Sequence, residues 1–171
     1  MPRASILSLI CCLSVALSSH TMAREPAAPT PVQDADTVAQ ITDLVMRYAV
    51  HRDAGEAQAY ADLFTEDAHL SILGQNYIGR PAILARMRSA EPQTSMHLMG
   101  TIMITVESAE RARGVSYAEV YIEPAAEGDE PVLTEGFAAI GIYHDRYRKT
   151  AQGWKIEARR FEPKLERATT P

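Results

Sequence analysis

The hydrophobic period of this chain changes at about Ser95, and that change limits the folds open to it more than any other feature. Before it, apolar residues recur at the three- and four-residue spacing of helices; after it they alternate. Met96 to Glu107, Gly114 to Glu123, Val132 to Lys149 and Trp154 to Glu162 read as long strands. The polar turn Ser108 to Arg113, the acidic loop Pro124 to Pro131 and Gln152-Gly153 separate them. Helices followed by antiparallel strands predict an α+β domain. Its sheet must curl to bury the helices in its concave side, which leaves a pocket between the layers.

The helical half divides itself. Thr37-Val38-Ala39-Gln40 has the form of a capping box, and Val38, Ile41, Leu44, Val45 and Tyr48 then give one apolar face. Ala54-Gly55 ends this helix, because glycine supplies the left-handed turn. A second helix is expected over about Glu56 to Phe64, with Ala57, Tyr60, Ala61 and Phe64 inward. Ala68 to Ile72, the turn Gly74-Gln75-Asn76 and Tyr77-Ile78-Gly79 read as a hairpin. Pro81 suits the first turn of a third helix through about Arg88, with Ile83, Leu84 and Met87 as its contacts.

Residues 1–23 read as a secretory signal: Arg3, an apolar run from Ile6 to Leu17, then small residues ending in Ala23. Residues 24–35 read as a Pro/Ala-rich linker, 36–163 as the domain and 164–171 as a tail. Export, to the periplasm or medium, is therefore expected, without stable membrane insertion after cleavage. Cys11 and Cys12 would leave with the signal, which excludes cysteine nucleophiles and Cys-ligated zinc from the mature chain. Losing Arg3 leaves sixteen basic against 22 acidic residues, moving the net charge from -5 to -6 and arguing against nucleic acid as a partner.

Asp53 falls in the last turn of the first helix, at the negative end of the macrodipole, so its carboxylate needs solvent or a cationic partner. His97 is a candidate for that partner. Met96, Leu98 and Met99 surround it with apolar side chains, whereas His51 lies on a helix and His69 and His144 adjoin the acids Asp67 and Asp145. Either residue could instead be structural, as could Tyr48 at the end of the helix's apolar face. No His-x-x-x-His cluster or glycine-rich phosphate loop occurs, so neither a metal nor a nucleotide cofactor is expected.

The element order, Leu63-Phe64-Thr65-Glu66-Asp67-Ala68, the Gly79-Arg80-Pro81-Ala82-Ile83 step, and Gly141-Ile142-Tyr143-His144-Asp145 leading to Gly153-Trp154 resemble the SnoaL-like branch of the nuclear transport factor two-like superfamily. Within it the chain is most similar to the scytalone dehydratase, hexachlorocyclohexane dehydrochlorinase and bile acid dehydratase group. The resemblance implies a cystatin-like α+β barrel, a curved antiparallel sheet with three N-terminal helices in its concave face and a cone-shaped pocket. Asp53 and His97 match the group's aspartate and histidine, and Tyr48 and Ser95-Met96-His97 look like the bile acid enzyme. Where scytalone dehydratase has a second histidine and an asparagine, this chain offers Glu119 and Tyr143. An extra acid and a basic residue of the bile acid enzyme correspond loosely to Glu119 and to Arg159 or Arg160.

Two functions follow as expectations. One is a cofactor-independent lyase or isomerase, of dehydratase or cyclase type, acting on a small hydrophobic carbonyl compound. His97 would be its base, Asp53 the orienting partner, and Tyr48, Tyr60 or Tyr143 the donor, with Glu119 and Met99 also toward substrate. The other is a non-catalytic ligand-binding or structural module, its pocket plugged or merely occupied. The resemblance also implies a homodimer or larger homo-oligomer formed through the sheet's outer face, where Ile102, Ile104, Ile140 and Ile142 share one parity.

Overall fold

The computed structural model describes residues 31–125, 128, 130–134 and 136–168, with side chains from residue 35. The expected signal over 1–23, the first part of the linker and the last three residues of the tail lie outside the described residues. Three helices, α1 (Pro31–Asp53), α2 (Ala57–Asp62) and α3 (Arg80–Arg88), pack on a sheet built from β1 (Phe64–Ile72), β2 (Gln75–Ile78), β3 (Gln93–Val106), β4 (Arg111–Pro124), β5 (Ala139–Thr150) and β6 (Gly153–Glu166).

The helix end foreseen at Gly55 forms a complete cap. Gly55 takes a φ of 68°, Gly55 N–H donates to the Arg52 carbonyl and Glu56 N–H to that of His51, so two orphan carbonyls are satisfied and Asp53 becomes the last helical residue. The beginning of the helix differs from expectation. It starts at Pro31, within the expected linker, and Thr37 lies inside it, so no capping box forms there. Proline costs nothing in a first turn, where its missing N–H would be unpaired anyway. Gln40 donates instead to Asp36 one turn back, at 2.9 Å.

The sheet runs β2-β1-β6-β5-β4-β3. It is mixed, not purely antiparallel, because β1 pairs with β6 in parallel, and it is an open curved sheet instead of a closed barrel. Periodicity carries no strand direction, so alternation could not have signalled that pair. Strand β6 extends to Glu166, into the expected tail, since its end pairs with the beginning of β5: Leu165 lies opposite Ile140 and Glu166 opposite Ala139. Strand β5 begins at Ala139 rather than Val132.

The core lies between helices and sheet. Ile41, Leu44, Val45 and Tyr48 of α1, Tyr60 of α2 and Ile83 of α3 are buried against Phe64, Leu70, Val120, Tyr143 and Phe161. A bulge in β3 between Gly100 and Met103, with Thr101 at a φ of 44°, gives that strand one residue more than β4. It reverses the parity. Ile102 and Ile104 therefore pack against the core, and Met103 takes the outer face, while Ile140 and Ile142 lie on the outer side of β5. The four isoleucines do not share a face.

Candidate active site

The C-terminus of α1 meets β3, a sheet edge whose outward amides have no strand partner. Asp53 takes up that opportunity. Its Oδ2 accepts the His97 backbone N–H at 2.7 Å, and its Oδ1 accepts Ser95 Oγ at 2.9 Å and meets His97 Nδ1 at 2.6 Å. Burial alone would raise the Asp53 carboxyl, but the hydrogen bonds and charge of His97, with Ser95, outweigh it and hold the group below its usual value. A carboxylate can only accept, so Nδ1 carries the proton and Nε2 is the basic nitrogen on the opposite side of the ring. The His97 side chain is 6% exposed and that of Asp53 17%. The unfavourable helix end is thus satisfied from across the domain.

His97 lines a cavity of about 410 Å³ whose walls include Tyr48, Val120, Ile122, Tyr143 and Phe161. The edge of one ring of the Tyr48–His97 pair faces the other, with centroids 6.4 Å apart, and Tyr143 lies 5.5 Å from Tyr48. Tyr143 is held neutral, its hydroxyl pushed well above the ordinary range by burial and by Tyr48, with Arg159 opposing. It is therefore suited to donate a hydrogen bond and not to act as a base.

Other expected residues fall elsewhere. Tyr60 is fully buried beneath Tyr48, with ring centroids 5.0 Å apart, and does not line the cavity. Met99 shares the inner face with Ser95 and His97 but packs against the core beyond the cavity wall. Glu119 is on the other face. It pairs in register with Leu98, one residue from His97, so the pleat turns it outward, where Tyr121 donates to it at 2.5 Å. Of the alternatives Arg159 and Arg160, the first is inside. Its guanidinium lies 4.0 Å from the Tyr48 ring centroid and 4.5 Å from that of Tyr143, while Arg160 is exposed.

Arg159 is fixed by Asp145, which accepts from Nε at 2.8 Å and Nη2 at 2.7 Å, and Tyr147 donates to the same carboxylate at 2.6 Å. Burial would lower the Arg159 pKa, but Asp145 overcompensates, so the charge is permanent. The guanidinium thus stacks as a fixed cation against the faces of both tyrosines. The family resemblance points only loosely to Arg159 or Arg160, without choosing between them. The pairing of Arg159 with Asp145 is a register fact, since the two stand opposite each other on β6 and β5. Among the described residues no group of three His, Cys, Asp or Glu side chains converges as a metal site.

The family model for the SnoaL-like domain matches residues 33–160. No curated protein sequence matches the chain. Among solved structures, a provisionally assigned scytalone dehydratase from Novosphingobium aromaticivorans superposes with a TM-score of 0.71 at 19% identity, covering 83% of this chain and 93% of that one. An NTF2-like protein with a cystatin-like fold from the same organism gives 0.64 at 23% identity, over 76% and 83%. The hexachlorocyclohexane dehydrochlorinase LinA-type3 of Novosphingobium barchaimii gives 0.65 at 16% identity, over 81% and 93%. At these identities the likeness is one of fold, whereas the family match covers most of the chain, from α1 into β6: the protein belongs to the SnoaL-like domain family.

Proposed function

We propose that the cavity is the active site of a cofactor-independent lyase or isomerase that removes a proton from carbon beside a carbonyl group. The observation that carries this reading is the triple anchoring of Asp53 to β3, which orients a histidine on the cavity wall. His97 Nε2 would take the proton, and Asp53 would stabilise the imidazolium that forms. Tyr48 and Tyr143 would donate to the oxygen as enolate charge develops, and elimination of a leaving group from the next carbon would complete a dehydratase-type reaction. The solved relatives described as dehydratase and dehydrochlorinase lend support at the level of reaction type.

The test is a mass-spectrometric screen of β-hydroxy and β-halo carbonyl compounds for loss of water or hydrogen halide, followed by His97→Gln on any hit. Turnover should fall by about two to four orders of magnitude, as for a positioned base, with the fold unchanged. A folded variant that keeps near wild-type turnover would remove the dyad from the mechanism. Ligands that bind without reacting would favour a non-catalytic binding module.

We further propose a homodimer through the outer sheet face, supported by the exposed apolar side chains of Met96, Leu98, Met103 and Tyr117 there. Light scattering should give a dimer mass at micromolar concentration, and Tyr117→Glu should shift it to the monomer. A monomeric wild type would refute it.

A further inference from the structure

The rim of the cavity carries a charge that the proposed chemistry does not use. Among the described residues Arg52, Arg86 and Arg167 all line it, against a single lining carboxylate, Glu166, in a chain whose net charge is -5. Arg167 is committed to the fold: it donates to the carbonyls of Gly136 and Phe137 and, at 2.7 Å, to Glu123. The other two are differently placed. Among the described residues neither Arg52 nor Arg86 has a carboxylate within 4.0 Å. Arg86 lies over the Tyr77 ring at 5.4 Å, and Arg52 meets the neutral amide of Gln93, whose oxygen accepts at 2.5 Å when it is turned toward the guanidinium.

Both arginines stand in the last turns of helices, where a cation complements the dipole. That role does not require the cavity. In the same last turns His51 bonds Glu56 at the surface and Arg88 reaches Gln58, both outside the cavity lining. Arg52 and Arg86 are the ones that border an apolar space, where a cation without a counter-charge gains most from a ligand that supplies one.

We propose that the cavity takes an amphipathic organic anion, its apolar body against Val120, Ile122 and Phe161 and its carboxylate or similar group at the rim formed by Arg52 and Arg86. The inference rests on reading this cavity as the ligand site. It does not depend on the catalytic role of His97. An acidic protein with a basic rim also draws anions toward this opening and away from the rest of its surface.

The experiment compares 2-naphthoate with 2-naphthamide, which match in shape and differ in charge, by ligand-observed NMR titration of the wild-type protein. The naphthoate should bind about ten-fold more tightly, the scale of one charge-assisted bidentate contact, and added salt should erode that preference. In the double variant Arg52→Gln with Arg86→Gln the preference should disappear while naphthamide affinity stays unchanged. Equal or tighter binding of the amide by the wild type, no binding of either probe at millimolar concentration, or a preference retained in the double variant would overturn the proposal. Because the readout is binding, loss of the catalytic reading would leave this result intact, and the wild-type comparison stands even if the double variant misfolds.

Discussion

Asp53 with His97 and Asp145 with Arg159 are both acid–base couples in the interior of the domain; Arg159 lies over the rings of Tyr48 and Tyr143, and His97 meets Tyr48. Their surroundings differ. Arg159 and Asp145 have side chains with 0% exposure, while His97 borders a cavity and Asp53 retains 17%. Arg159 cannot lose its proton and its partner meets it through two bonds, so this couple is fixed. In the other, His97 meets Asp53 through Nδ1 and its ring lines a cavity, where among the described residues Nε2 has no hydrogen-bond partner. One fold thus encloses one couple completely and opens the other to a cavity.

The contrast breaks most severely at Arg159. Replacing it with Met strands a fully buried carboxylate, which costs about 3–5 kcal/mol of stability for pairs of this kind. Changing both partners, Asp145→Leu with Arg159→Met, should recover part of that loss, because no charge is then left unpaired, although Tyr147 loses its acceptor. Chemical denaturation of the single and double variants gives the answer. A double variant less stable than the single one would mean that the pair itself, and not the stranded charge, carries the energy.

Asp53 should behave more mildly and should respond to pH. Its carboxyl is lowered from the ordinary value of 3.8, so the stability it contributes is fully present above that value and is lost as pH falls through the lower folded value. Asp53→Asn keeps the shape and removes the charge, at a cost of about 1–3 kcal/mol near neutrality for a charged hydrogen-bonded group. The gap between wild type and variant should close below about pH 4, and thermal melts across pH 3 to 7 test it. A gap independent of pH would show that the carboxylate's charge is not what β3 holds.

The two couples were also unequally legible in the sequence. Asp53 could be singled out because Gly55 announces the end of a helix, and a carboxylate at that end requires a partner by electrostatics alone. His97 stood out through its apolar neighbours. Arg159 and Asp145 had no such marker, since alternation in a strand says which residues share a face but not which face is buried, and a charged residue is ordinarily assigned to solvent. Glu119 was misplaced for a related reason: β4 turns Val120 toward His97 in register, and a shift of one residue exchanges the faces. The bulge at Thr101 reversed β3 in the same way. The helix–strand division and the α+β class came from period, with Gly55, the Gly74-Gln75-Asn76 turn and Pro81 marking the ends, and none of these signals needs register.

The smallest effect should come from Ser95, and it tests how Asp53 is held. Ser95 is buried, and its hydroxyl supplies one of the three hydrogen bonds on Asp53, the other two coming from His97. Ser95→Ala removes that bond but leaves the carboxylate two partners, so the loss of stability should be about 0.5–1.5 kcal/mol. Because Ser95 stabilises the ionised form, its removal should raise the Asp53 carboxyl toward the ordinary value, a shift that carbon-detected NMR titration can follow. Ser95 touches Oδ1, the same oxygen that meets the imidazole. If His97 is the base of the proposed reaction, loosening it should cost turnover several-fold with little change in KM, since orientation of a base matters in the transition state more than in binding. Ser95→Thr, which keeps the hydroxyl, should restore most of the rate. A packing role alone would leave the titration unmoved and would make the bulkier threonine worse than alanine, whereas a positioning role predicts the opposite order.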